Sequence, residues 1–121
     1  MYGRQRRRYL RVVISIDVEF KELNDPAGVF IAKTIDISAG GMRVILPEYK
    51  EIGSVFSMSF VLENQHTVAD VQGTIVWNKE NMDTDNKPVY EAGVLYTAID
   101  LETRHNVIKF VYEELRSKHN L

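Results

Sequence analysis

From Val12 to Lys21 the chain alternates with period two. Val12, Ile14, Ile16, Val18 and Phe20 fall on one side, against Val13, Ser15, Asp17, Glu19 and Lys21. That period belongs to a strand with one covered face and one wet face. A single half-buried strand of ten residues is therefore predicted. The turn Asn24-Asp25-Pro26-Ala27-Gly28 follows. Further strands are predicted at about Val29–Ser38, Met42–Leu46, Phe56–Leu62, Val68–Trp77 and Val89–Thr97, with Gly73 as a bulge or close-contact point. Pro47 and Gly53 bracket a loop, and Asn78–Pro88 reads as a polar, mobile connection. Six short strands with tight turns argue for a small antiparallel barrel or sandwich rather than a parallel sheet. The C-terminus changes period. Asp100 can cap a helix, with Leu101, Ile108, Val111, Tyr112 and Leu115 on one face and Glu102, Lys109, Glu113 and Arg116 opposed. That helix packs on the barrel or plugs one end.

The turn Asp36-Ile37-Ser38-Ala39-Gly40-Gly41 joins two apolar runs. Extended geometry sends Asp36 and Ser38 one way and Ile35 and Ile37 the other. The isoleucines can enter a core while the carboxylate and hydroxyl stand together outside it. Gly40-Gly41 permits the positive φ of a tight reversal, or close approach of a ligand to the backbone. Two readings stay open at this point: a pocket floor, or an ordinary turn in which Asp36 and Ser38 cap backbone amides.

Charge is distributed unevenly. Arg4, Arg6, Arg7, Arg8 and Arg11 lie in the first eleven residues with no acid among them. The remainder carries ten bases against seventeen acids, a charge of −7. Residues 1–10 read as a flexible arginine-rich arm, and residues 11–121 as one barrel domain with its C-terminal helix. Arginine's planar fork suits phosphates and guanine edges better than lysine does. A solvated basic tail is the plainer alternative.

Enzyme chemistry finds little support. There is no cysteine, which removes thiolate metal sites and cysteine nucleophiles and fits a reducing, cytoplasmic setting. His66, His105 and His119 lack metal-ligand spacing. No phosphate loop or nucleophile elbow occurs, no acid pair is set up for proton transfer, and neither catalytic residues nor a metal is expected. No apolar run approaches the roughly 20 residues of a membrane span, so no membrane insertion is expected.

Arg7-x-x-x-Arg11, followed by Asp36-x-Ser38-x-x-Gly41 between two strands, resembles the PilZ domain family. The resemblance extends over the whole chain, through the Gly73–Trp77 and Gly93–Tyr96 strands to the helix. Arg4 and Arg8 also satisfy the arm spacing; Arg7 and Arg11 are preferred because Arg11 abuts the first strand. The resemblance implies a mainly β fold, a six-stranded antiparallel barrel with a C-terminal α-helix. It also implies a receptor for the second messenger cyclic di-GMP, with no further cofactor. Arg7 and Arg11 would grip phosphates and guanine, with Arg6 and Arg8 beside them. Asp36 would accept from guanine N1–H and its amine, and Ser38 would bond a phosphate or guanine edge. Gly40 and Gly41 would hold the turn open. Trp77 would stack on a base or, equally, sit in the barrel core or rim. Arg6, immediately before the motif, implies two stacked cyclic di-GMP per chain. The expected output is an unidentified downstream protein in motility, exopolysaccharide or pilus control. Two other classes compete: a PilZ-like adaptor that binds only protein, and a nucleic-acid-binding barrel. The intact motifs weigh against the first. The acidic body weighs against a nucleic acid polymer.

Overall fold

A computed structural model describes residues 9–25, 27–63 and 66–118. The strands are β1 (Arg11–Val13), β2 (Asp17–Glu22), β3 (Val29–Ser38), β4 (Gly41–Leu46), β5 (Val55–Val61), β6 (Thr67–Met82) and β7 (Pro88–Ala98); α1 (Leu101–Lys118) follows. Every strand pairing is antiparallel, and the ring β3-β2-β5-β6-β7-β4 closes back on β3. The barrel is thus six-stranded and mainly β, with one C-terminal helix, as the sequence implied. Closure pairs the strand edges that an open sheet would expose.

The predicted first strand is two strands laid end to end along one edge of β3. β1 pairs Val12 with Ile37, and β2 pairs Val18 with Ala32, a register one residue apart. The alternation itself is correct: Val12, Val18 and Phe20 are all in the core. Pairing breaks at Ile14–Ile16, where the Thr34 hydroxyl accepts from the Ile16 amide (2.9 Å) and donates to the Ile14 carbonyl (2.5 Å). Thr34 is a buried polar residue that supplies the ladder bonds the backbone omits.

Beyond Thr34, β3 turns over. Its pairing with β4 skips Ile35, going from Thr34–Val44 to Asp36–Arg43. Before the skip the even-numbered Ala32 faces the core; after it the odd-numbered Ile37 does. A one-residue bulge inverts the facing of every later side chain. Asp36 therefore leaves the core face, and Ile37 enters it. Ile35 remains half-buried rather than joining Ile37 inside.

Two further expectations change. Asn78–Met82 continues the ladder as β6, pairing with Pro88–Ala92 of β7. Asp83 closes that hairpin, its carboxylate accepting from the Asp85 and Lys87 amides, and Asn86 takes a positive φ of 62°. Polar composition there marks a strand exposed on both faces from Lys79 to Met82, although its partner still buries Ala92. Gly73 does lie at a register shift in β6, and a Cβ on it would meet Met58 and Val94 at 2.7 Å.

Asp100 caps α1 as expected, accepting from the Thr103 amide at 2.7 Å, and this bond holds its carboxyl below the usual range. The buried stripe of α1 is Val107, Phe110 and Val111, flanked by Ile108 and Leu115. Leu101 and Tyr112 are exposed instead. The helix is turned so that Arg104, one turn before Val107 and Ile108, shares the packing face. α1 lies on β1 and β3, and Lys118 donates to the Val13 carbonyl. Toward the other end of β3, Phe20 and Phe30 stack at 5.2 Å and Phe56 meets Phe20 edge-on.

Thr34→Val keeps the shape and strands both backbone groups. It should cost about 1–3 kcal/mol in urea unfolding, whereas Thr34→Ser should restore most of the loss.

Candidate functional site

The β3–β4 turn, the first strand and the start of α1 meet at one end of the barrel. Between them lies a pocket of about 310 Å³, walled in part by Arg11, Arg43, Trp77, Tyr96 and Arg104.

Asp36 is only 4% exposed. Arg11 Nη1 donates to its Oδ1 and Arg43 Nε to its Oδ2, each at 2.7 Å. Register explains both contacts. Asp36 stands directly across from Arg43 in β4, and Arg11 stands across from Ser38 in β1. Asp36 therefore meets two guanidiniums rather than open pocket, and it is not among the residues that wall the cavity. Buried charge is tolerated only with such pairing. The trio carries one net positive charge.

Ser38 lines the pocket together with Gly40 and Gly41, and it also caps the turn. Its hydroxyl accepts from the Gly40 and Gly41 amides (3.1 and 3.2 Å) and donates to the Gly41 carbonyl (3.2 Å). The expected positive φ at Gly40-Gly41 is absent; among the described glycines only Gly53 adopts one. Gly41 is required for proximity instead. A Cβ there would lie 2.1 Å from the Val94 carbonyl oxygen of β7, which no side chain could tolerate. Gly40 lies against the ring of Tyr9.

Trp77 is at the rim, 37% exposed. It pairs across strands with Gly93, and a Cβ on Gly93 would sit 2.1 Å from the indole Nε1. The indole thus lies down on bare backbone, with a glycine holding an aromatic in place across the ladder. The ring faces the pocket as a fixed plate.

Arg43, Arg104, Tyr9, Tyr96 and Gly93 were not singled out from the sequence. Arg43 was findable, since hairpin pairing places it opposite Asp36. Gly93 was findable as a glycine inside a strand pattern. Arg104 carried no local signal. Its Nε donates to the Ala39 carbonyl at 3.2 Å, and its guanidinium lies 5.6 Å from the centre of the Tyr9 ring. Two buried polar atoms among the described residues lack partners, Arg11 Nε and the Tyr96 hydroxyl, and both residues line the pocket. Burial pushes the Tyr96 phenol up, against an opposing pull from Arg11 and Arg104. Its hydroxyl is therefore a hydrogen-bond donor. Arg6, Arg7 and Arg8 lie outside the described residues. Among the described residues, no group of three histidine or acidic side chains could hold a metal.

The family model for the PilZ domain matches residues 5–113. The chain belongs to the PilZ family. Solved structures agree on the fold. The PilZ domain of YcgR from Escherichia coli, solved with c-di-GMP, superposes with a TM-score of 0.71 at 19% identity, covering 96% of this chain and 98% of that one. The Bacillus subtilis inhibitor of motility MotI/DgrA gives 0.74 at 20% identity over 94% of this chain and 53% of that one. The K. pneumonia MrkH–c-di-GMP complex gives 0.76 at 14% identity over 97% and 56%. This PilZ chain thus spans about half the length of MotI/DgrA and MrkH. Comparison with curated sequences finds no match.

Gly93→Val should lift the indole off β7. Because Trp77 is the single tryptophan, its emission should move to the red; an unchanged spectrum would show that the glycine does not seat it.

Proposed function

We propose that this PilZ chain is a cyclic di-GMP receptor without catalytic activity. The observation that carries the reading is the meeting of three arginines and a fixed indole at one pocket. Cyclic di-GMP presents two phosphates and two guanines, and arginine and tryptophan are the side chains that bind such groups in pairs and by stacking. Arg11 and Arg43 would engage the ligand with their free guanidinium edges. Asp36 would act by holding both of them, and Ser38 by holding the turn beneath. Trp77 would supply a stacking face. Arg7, with Arg6 and Arg8 beside it, would close over the ligand from the arm. YcgR and MrkH, solved with c-di-GMP, support the reading by likeness of fold.

The output we propose is a protein partner in the cytoplasm, in motility, exopolysaccharide or pilus control. The inhibitor of motility from Bacillus subtilis is one structural neighbour, and the PilZ domain of CeSA from a cellulose-synthesizing bacterium is another. Among the described residues no helix is long and apolar enough to cross a membrane.

Calorimetry with cyclic di-GMP, GTP and a short single-stranded oligonucleotide tests the receptor reading. Only the first should bind tightly; equal binding of the oligonucleotide would overturn it. Arg11→Ala should weaken cyclic di-GMP by about 1.5–3 kcal/mol, on the order of ten- to a hundredfold, and should also lower the apo melting temperature, because buried Asp36 is then left with Arg43 alone. Asp36→Ala should weaken binding and also lower the melting temperature, because two adjacent guanidiniums lose their shared counter-charge.

We further propose two ligands per chain. A stacked pair concentrates four phosphate charges, and Arg6 beside Arg7 adds the positive charge that such a pair demands. Titration should give two per chain for the wild type and shift toward one in Arg6→Leu. One per chain in both would overturn the stoichiometry alone.

A further inference from the structure

We infer that Arg104 of α1 is a ligand-binding residue of this pocket, gripping a phosphate of the bound dinucleotide from the helix. The inference rests on the receptor reading above. Charge is the first argument. Arg11 and Arg43 share Asp36, so together they offer one net positive charge to a ligand with two phosphates. Arg104 lines the same cavity and has no carboxylate partner among the described residues. It is the pocket arginine whose charge is not already answered.

Geometry is the second argument. Arg104 is half-buried, anchored at Nε by the Ala39 carbonyl and packed on the Tyr9 ring. That anchoring fixes the plane of the fork and uses only one of its five N–H donors. The terminal nitrogens remain for a bidentate contact with phosphate oxygens. A third, independent sign is the Tyr96 hydroxyl, buried and unpartnered on the wall of the cavity. A buried donor without a partner is costly, and a phosphate oxygen held by Arg104 would answer it. Because Arg104 belongs to α1, the ligand would then tie the helix to the barrel through a direct bond, in addition to the apolar stripe of Val107, Phe110 and Val111.

The test titrates cyclic di-GMP into the full chain as wild type, Arg104→Gln and Arg104→Lys, with amide exchange followed over residues 101–112. Arg104→Gln should weaken binding on the order of ten- to a hundredfold. Arg104→Lys keeps the charge without the fork and should lose less. Ligand should slow exchange in the first turns of α1 in the wild type and leave it unchanged in Arg104→Gln. Should the glutamine variant fail to fold, the lysine variant and the wild-type exchange data still decide. If the wild type binds and Arg104→Gln binds within about twofold of it, or if α1 exchange ignores the ligand, Arg104 is only a strut and the inference falls alone. If the wild type does not bind cyclic di-GMP at all, the receptor reading falls and this inference with it.

Discussion

A carboxylate shut away from water must be neutralised, and Asp36 is neutralised twice. That single requirement organises the functional end of the barrel. Arg43 reaches Asp36 because β4 returns in the register that opposes them. Arg11 reaches it because β1 stays on β3 beyond the break in pairing. The bulge is what brings an acid to the outer face at all. Without the skipped Ile35, Asp36 would share the facing of Ala32 and lie among the core side chains. The site is therefore a consequence of one irregularity in an otherwise regular ladder. Thr34, next to the bulge, stabilises the separate break in pairing between β1 and β2.

Strand placement was legible wherever one face is dry and the other wet. Val18, Phe20, Phe56, Met58 and Phe60 announce their facing by period two, and all are core residues. Asp100 announced the helix start through its side chain. What stayed hidden was anything set by registry between strands. The slip at Ile14–Ile16 leaves the alternation intact, so no local pattern reports it. The 78–82 extension of β6 buries little, so its composition imitates a loop. The helix face was misjudged because Leu101 and Tyr112 satisfy the helical period yet stay largely exposed. At the site, the motif residues Asp36, Ser38 and Gly41 stood out in the sequence, and the capping role of Ser38 was one of the two readings offered, but the double pairing of Asp36 and the close approach at Gly41 were not foreseen. Ser38 clasps the turn, and Gly41 makes room for the Val94 carbonyl. Arg104 comes from 65 residues further along the chain than its partner Ala39, a distance over which only the folded topology informs.

Under the proposed receptor role, the electrostatic setting would sort ligands by size as well as by charge. Beyond the first eleven residues the chain carries −7, yet its pocket gathers guanidiniums. A compact dianion meets only the local field. A long polyanion must also run across acidic surface, where repulsion accumulates along its length. On that reading, selectivity for a small nucleotide over a nucleic acid would need no steric gate.

The outer stretch of β6 has a consequence for how the barrel is kept from its neighbours. β5 leaves β6 at Thr74, so from Val76 to Met82 no strand among the described residues lies beside that border of the sheet. That border carries Lys79 and Glu80, and the Asn78 side chain bonds the Lys50 carbonyl across it. Charged, solvated residues on an open border oppose pairing with another copy of the chain. The hairpin tip at Asp83–Lys87 projects past the core and contributes nothing to the pocket wall. It is the place where the chain should be open to lengthening, tagging or splicing into another protein while the barrel and its pocket keep their shape.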